Sequence, residues 1–506
     1  MRRAVALVVV CAAAVLAAAA PARAADFEMG MEDEGLLLSN QHLAPAAVQA
    51  WHALGVDVVR IHARWWVIAP GLNSRKPPRG FHASDPDDRH YDWTNLDAAV
   101  DMVRSAGMDV MLTITGPPPR WASGRPRKHN RLYKPQPRKF AQFARAVATR
   151  YRDQVDRYLI WNEPNQKGWL QPQWKCTRRH GYCRPVSPHI YRGLVRAATP
   201  AVHRADPGSE VVLGELAPIG HAPISNLTPM APLPFLRTMG CVDARYRSIR
   251  TGACKHFRSA YADSFGYHPH PLKLAPDEHN PDRDEAQFGD LRRLFKVLDR
   301  LRHRHRLRIG RNVHLTEFGY QTSPPDRAVG IKLSLQTRYL QQAAYIAWKT
   351  KRVRGLSFYQ WDDEPVVNLG RGTKRYAGWQ TGLRFNSGRP KPVLSTMAAP
   401  FVVDRPRRAK KALLWGQVRP DAEPLVTVQM RRRGSHRWTD LMQLRTARDG
   451  TWSHRIKVPS RGATYRYEWT PVPNLFDPAP EPRTSGTVSL SKRTKSRLRA
   501  SASNAK

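Results

Sequence analysis

Glu163 stands in Trp161-Asn162-Glu163-Pro164-Asn165, and Glu317 in His314-Leu315-Thr316-Glu317-Phe318-Gly319. Tyr158-Leu159-Ile160 leads into the first motif and Val313 opens the second, so each glutamate closes an apolar run that predicts a strand. Two carboxylates brought to one place can divide their work. One stays protonated through desolvation or a neighbouring negative charge, and the other is kept ionised by a cation. Cleaving a glycosidic bond needs that division: a proton for the leaving oxygen and a carboxylate below the sugar ring.

Something must hold the two glutamates together across more than 150 residues. From about residue 26 to 400, short apolar runs alternate with helical patterns, the signature of repeated β-α units. Eight runs predict strands: Phe27–Met31, Val56–Ile61, Asp109–Ile114, Tyr158–Asn162, Val211–Leu216, Ser264–His268, Val313–Glu317 and Gly355–Gln360. Between them, Leu96/Val100/Val103, Phe140/Phe143/Val147 and Leu291/Leu294/Leu298/Leu301 recur at helical spacing. Eight such units predict a closed (β/α)8 barrel of the α/β class. Glu163 and Glu317 then lie on the C-terminal face, where barrel active sites are assembled. Past Asp404-Arg405-Pro406 the period becomes two, as in Val426/Val428/Met430 and Tyr465/Tyr467/Trp469. The expected division is a signal peptide over 1–24, the barrel over 25–404, a small β-sandwich over 405–490 and a basic disordered tail over 491–506. The sandwich is expected to be dispensable for bond cleavage.

A fourth strand ending in Asn-Glu-Pro and a seventh ending in Thr-Glu-Phe-Gly resemble the clan A glycoside hydrolases, in particular the cellulase-like family 5 and the xylosidase-like family 39. The likeness covers roughly residues 26 to 400. It implies a retaining enzyme acting on a β-linked poly- or oligosaccharide, with Glu163 as acid/base and Glu317 as nucleophile. It further implies that Asn162 meets the sugar 2-hydroxyl, that Arg60 on strand two keeps the nucleophile ionised, and that Trp361 after strand eight floors the subsite. His268 matches the first member of the family's His-x-Tyr pair. The second member is His270 here, in His268-Pro269-His270, so nucleophile positioning departs from the pattern unless Tyr320 or Tyr359 takes over. Trp66 and Trp121 join the candidate substrate contacts, because indole faces pack on the C–H faces of sugars. A carbohydrate-binding barrel without turnover is the alternative reading.

Met1-Arg2-Arg3, an apolar stretch from Ala4 to Ala20 and Ala22-Arg23-Ala24 form a secretory signal with its cleavage site, which predicts export without a transmembrane anchor. Beyond the signal, Cys176, Cys183, Cys241 and Cys254 remain. An even number in an exported chain predicts disulfides, with three pairings possible. The short-range pairs 176–183 and 241–254 are favoured, each stapling a loop at the active-site rim. Neither spacing resembles a zinc site, and no metal or other cofactor is expected. The 83 Lys and Arg against 41 Asp and Glu give a net charge of +42, which would suit an acidic glycan or cell surface as a partner beside the carbohydrate substrate. These residues are spread along the chain, and no zinc-finger, helix-turn-helix or RNA-binding signature accompanies them, so specific nucleic-acid binding is not expected.

Overall fold

The computed structural model describes residues 27–177, 182–222, 224–420, 424–471, 480–494 and 496–502. The expected signal peptide lies outside them. Eight parallel strands close into a barrel: β1 (Glu28–Glu32), β2 (Val58–Arg64), β3 (Asp109–Thr115), β4 (Arg157–Ile160), β5 (Glu210–Leu216), β6 (Ser264–Tyr267), β7 (Val313–Phe318) and β8 (Val353–Tyr359). Each strand pairs with its sequence neighbour, and β1 closes the ring by pairing with β8 from Glu28↔Gly355 to Glu32↔Tyr359. An outer layer carries helices α1 (Ala44–Ala53), α2 (Thr94–Ser105), α3 (Pro137–Arg150), α4 (Ser187–Ala205), α5 (Pro232–Met239), α6 (Leu291–His303) and α7 (Leu333–Lys349).

Burial on both faces explains why the strands read as continuous apolar runs rather than alternating ones. In β2, Val59, Ile61 and Ala63 face the helices and join the main core. Residues of the other parity point into the barrel. There Val58, Met111, Leu159 and Val212 form an apolar floor supplied by four adjacent strands. Arg60 lies one inward step above Val58, so along β2 the barrel interior changes from apolar to charged within two residues.

The C-terminal domain packs two antiparallel sheets face to face. One contains β9 (Phe401–Asp404), β10 (Lys411–Gln417), β13 (Thr451–Lys457) and β17 (Leu498–Ala500). The other contains β11 (Leu425–Arg432), β12 (Thr439–Arg445), β14 (Ala463–Trp469), β15 (Arg483–Thr484) and β16 (Val488–Leu490). Two features differ from the expected division. Phe401–Asp404 runs antiparallel to β10 and so belongs to a sandwich sheet rather than to the barrel. The tail is not disordered over its described part: Leu498–Ala500 pairs with β9, and Leu498 is buried. Backbone pairing makes that strand, which a Lys-, Arg- and Ser-rich composition does not announce. The sandwich docks on α7, where Trp415 packs on Tyr345 and Trp348 and Gln341 donates to the Ser501 carbonyl at 3.0 Å.

Candidate active site

The chain leaves β4 at Ile160 and places Asn162 and Glu163 above the barrel mouth. Trp161 and Glu163 take φ of +70° and +36°, the left-handed region that non-glycine residues seldom adopt. Two backbone bonds hold this turn: Asn162 N–H donates to Thr115 Oγ1 at 3.1 Å, and Glu163 N–H donates to the Glu215 carbonyl at 2.9 Å. Glu317 lies within β7 itself and is almost fully buried.

Arg60 is the hub. Its Nη1 donates to Glu32 Oε2 at 2.6 Å and to Glu317 Oε1 at 2.7 Å, while Nη2 donates to Glu215 Oε2 at 2.6 Å and to Asn162 Oδ1 at 2.8 Å. Burial by itself would weaken its charge, but Glu32, Glu215 and Glu317 outweigh burial and hold the guanidinium firmly protonated. His268 sits on the other side, with Nδ1 3.2 Å from Glu163 Oε1 and 3.3 Å from Glu317 Oε1, and Nε2 3.4 Å from Glu215 Oε2. Burial pushes the imidazole pKa down, yet Glu317, Glu215 and Glu163 together raise it to about 10.

The electrostatics separate the carboxylates. Burial would raise Glu317, but His268, Arg60 and His270 outweigh it and hold the group ionised well below the ordinary carboxylate range. Glu32, also buried, goes the other way: desolvation and the nearby Glu317 push it up despite Arg60.

His270 places Nε2 3.3 Å from Glu317 Oε2, the contact the tyrosine would have made. Its ring stacks on Trp379 at 6.0 Å with 20° between planes, and Tyr359 stands edge-on to both. Trp379 is 46% exposed and stacks on the imidazole that faces Glu317. One ligand-capable atom each of Glu163, His268, His270 and Glu317 lies within 4.8 Å of the others, as do single atoms of Glu32, His62 and Glu317. Both nitrogens of His268 already face carboxylate oxygens and Glu317 is bonded to Arg60, so these close approaches are ion pairs within the site. Cys241 and Cys254, beside His189, are bonded to each other and offer no thiolate.

Glu163, Glu317, Asn162, Arg60, His268 and His270 thus converge at one end of the barrel. Two expected contacts, Trp361 and Trp121, do not. Trp361 is 2% exposed and packs edge-on against Trp51 of α1 with Arg384 over its ring, because β8 ends at Tyr359 and the chain then turns into the outer layer. Tyr359, the last residue of β8, instead stands edge-on to His270 and Trp379. Trp121 is 3% exposed, wedged beside Trp65 and Phe81 with its indole N–H on the Pro70 carbonyl, so it presents no face to a sugar. Trp66 is half-buried in the turn after β2, beneath Arg64, which pairs with Glu34. Glu32 and Glu215 were not singled out as site residues, although each lies near the end of an apolar run, as Glu163 and Glu317 do.

The structure bonds Cys176 to Cys183 and Cys241 to Cys254. The first pair lies in the β4–α4 connection, on the face that carries Glu163. The second lies between α5 and β6, a connection entering a strand from its N-terminal side, and touches α4 through Arg192. It belongs to the outer wall and not to the active-site rim.

Residues 23–207 match the family model of the cellulases, glycosyl hydrolase family 5. This relates the chain to the clan A glycoside hydrolase barrels and marks it as a glycosidase. Among solved structures, a family 39 glycoside hydrolase from Bacteroides cellulosilyticus is similar at 12% identity and a TM-score of 0.47, covering 95% of this chain and 81% of its own. A glucosidase from Croceicoccus marinus shares 13% identity at a TM-score of 0.47, covering 87% and 95%. An endo-beta-1,4-mannanase from Thermotoga petrophila shares 10% at a TM-score of 0.41, covering 92% and 97%. No curated protein matches the chain.

Proposed function

We propose that this glycosidase is an exported, retaining enzyme that cleaves O-glycosidic bonds of a β-linked poly- or oligosaccharide by double displacement, with Glu317 as nucleophile and Glu163 as acid/base. The observation that carries the reading is the closeness of the two carboxyl groups. One imidazole nitrogen, His268 Nδ1, lies 3.2 Å from an oxygen of Glu163 and 3.3 Å from an oxygen of Glu317. Direct displacement by water with inversion needs carboxyl groups roughly 6.5–9.5 Å apart, whereas a covalent intermediate needs them about 5–5.5 Å apart. The spacing here favours the second.

Glu317, held ionised by His268, Arg60 and His270, attacks the anomeric carbon while Glu163 gives its proton to the departing oxygen. The glycosyl ester on Glu317 is then hydrolysed by a water that Glu163, now a carboxylate, deprotonates. The two inversions restore the starting configuration. Asn162 spends its carbonyl oxygen on Arg60, which leaves the amide NH2 to meet the sugar 2-hydroxyl. Trp379 offers the platform for a sugar's C–H face.

A barrel that binds sugar without turnover was suggested by the missing tyrosine, and the His270 contact with Glu317 removes that motive. Two disulfides suit an oxidising compartment, and among the described residues no helix is long and apolar enough to cross a membrane.

The test is a screen of the purified protein on aryl β-glycosides and β-linked polysaccharides, with the anomer of the first product followed by proton NMR. A β-configured first product is expected. An α-product, or no turnover on any β-linked substrate, would overturn the assignment.

A further inference from the structure

Of the buried carboxylates that take no part in these bond-making steps, Glu32 bonds, among the described residues, only to Arg60, with His62 at 3.8 Å. Glu215 is tied in far more deeply. Its Oε2 accepts from Arg60 at 2.6 Å and faces His268 Nε2 at 3.4 Å, its Oε1 accepts from Thr316 Oγ1 at 2.6 Å, and its main-chain carbonyl accepts from Glu163 N–H at 2.9 Å. The fold is built around it. The β5–β6 register slips between Gly214 and Leu216, and Glu215 itself has a φ of +50°, so the strand bulges at this residue and re-aims its side chain. Opposite, on β6, a Cβ at Gly266 would stand 2.0 Å from Glu215 Oε1, so any larger residue there would expel the carboxylate.

We infer that Glu215 is the positioning residue of this centre, clamping the His268 ring between Glu163 and Glu317 and, through its carbonyl, the turn that carries Glu163. The inference rests on the retaining-glycosidase reading. With Glu215 on Nε2, Nδ1 of His268 has one direction left, toward both reacting carboxyl groups. An imidazole facing carboxylate oxygens at both nitrogens donates from both and is therefore a cation. The charged groups around it are Arg60 from β2, Glu163 after β4, Glu215 from β5, His270 two residues along its own segment and Glu317 from β7; the acids prevail. This fixed cation keeps Glu317 ionised for its attack and stabilises it again as the leaving carboxylate when the ester is hydrolysed. Because it donates to Oε1 of Glu163, it also assigns the transferable proton to the other oxygen.

Glu215→Gln keeps the shape and removes the charge. The expected result is a fall in kcat of about 10- to 100-fold with KM within about threefold, as for a group whose interaction matters in the transition state rather than on binding. A new alkaline limb should enter the pH profile, because His268 loses one of its acidic partners. Long-range 15N spectra of histidine-labelled protein, with the signal assigned by His268→Asn, read the ring directly. In the parent, His268 should remain an imidazolium between about pH 5.5 and 8.5, and in Glu215→Gln it should titrate there. An unchanged kcat and an unchanged His268 signal in the variant would overturn the clamp. So would a parent His268 that titrates near the ordinary value of about 6.5, a measurement that decides even if the variant fails to fold. Failure of the parent to hydrolyse any glycoside would sink the proposed function alone, since the spectra test the clamp without turnover.

Discussion

The barrel holds an arginine clamped by glutamates at each end, and the two ends are not equivalent. At the N-terminal end, Arg157 pairs with Glu28 at 2.5 Å and with Glu210 at 3.0 Å, and His314 lies 3.1 Å from Glu210. These side chains are partly exposed and line a cavity of about 570 Å3 between the barrel floor and the sandwich residues Arg419, Pro420, Arg448 and Asp449. At the C-terminal end, Arg60 is fully enclosed by Glu32, Glu215 and Glu317. Both are ion clusters inside one barrel. The lower one sets Arg157 and His314 against two partly exposed glutamates beside a water-accessible cavity, as a structural cluster does. The upper one is buried and sets Arg60 and His268 against three glutamates, Glu32, Glu215 and Glu317, an excess of acid in a low dielectric that drives carboxylates to different protonation states.

The largest effects should come from the upper end. Glu317→Ala and Glu163→Ala are each expected to lower kcat on an aryl glycoside by several orders of magnitude, with folding preserved in circular dichroism, because each carboxylate has its own role in double displacement. Glu210→Ala, at the lower end, should stay within about threefold of the parent, as a group with no transition-state contact does. Near-parental turnover by the Glu317 variant would leave the two ends indistinguishable and the comparison empty.

Removing each hub tests the same contrast on stability. Arg60→Met strands buried carboxylates and should cost about 3–5 kcal/mol in denaturant unfolding, the usual penalty for breaking a buried cluster from one side. Arg157→Met leaves Glu28 and Glu210 where water can reach them, so its cost should be about 1–2 kcal/mol with activity retained. Equal losses would mean that burial is not what separates the sites.

Stability should also respond to pH in opposite windows. His268 is raised in the fold, to about 10 from an unfolded value of about 6.5. Its contribution is complete below the unfolded value and is lost as pH climbs from there toward 10. Glu210 is lowered in the fold to about 2, where burial is outweighed by His314 and Arg157. Its contribution is present above the ordinary carboxylate value and is lost as pH falls toward 2. Melting temperatures should therefore flatten on the alkaline side in His268→Gln and on the acid side in Glu210→Gln. The reverse pairing would sink both assignments.

Much of the upper site is legible in the sequence because its residues share one mark: a polar group at or near the C-terminal end of an apolar run. Glu163, Glu317, Asn162 and His268 all carry it. Glu32 and Glu215 carry it too, but a glutamate closing Phe27–Met31 or Val211–Leu216 does not reveal that it turns inward. For Glu215 that depends on a bulge and on Gly266 across the sheet. Trp361 and Trp121 show the complementary failure. Sequence places an aromatic residue near a strand end but not on the inner or outer side of the layer that follows. The last strand escapes for a third reason, since Leu498–Ala500 is held by backbone pairing and by side chains of α7 more than 150 residues earlier.

The smallest effects concern the disulfides, where the two ends again divide. Cys176–Cys183 and Cys241–Cys254 close loops separated by 7 and 13 residues, and the loop-entropy relation gives about 2.5 and about 3 kcal/mol for such sizes, nearly the same. Stability should therefore not distinguish them: Cys176→Ser/Cys183→Ser and Cys241→Ser/Cys254→Ser should lower the melting temperature by similar amounts. Kinetics should. The first bridge joins two short strands in the connection that begins at Glu163, and Cys176 N–H donates to Asn226 Oδ1 in the β5–α5 connection beside it. Loosening this loop should raise KM about two- to fivefold for an oligosaccharide that extends beyond the cleaved bond and leave a small aryl glycoside nearly unaffected, because Arg60 holds Glu317 and the Glu215 carbonyl holds the Glu163 turn. The second bridge is on the outer wall, and its removal should leave both KM values unchanged. A rise in KM for the wall variant, with none for the first, would mean that the connection after β4 does not border the substrate.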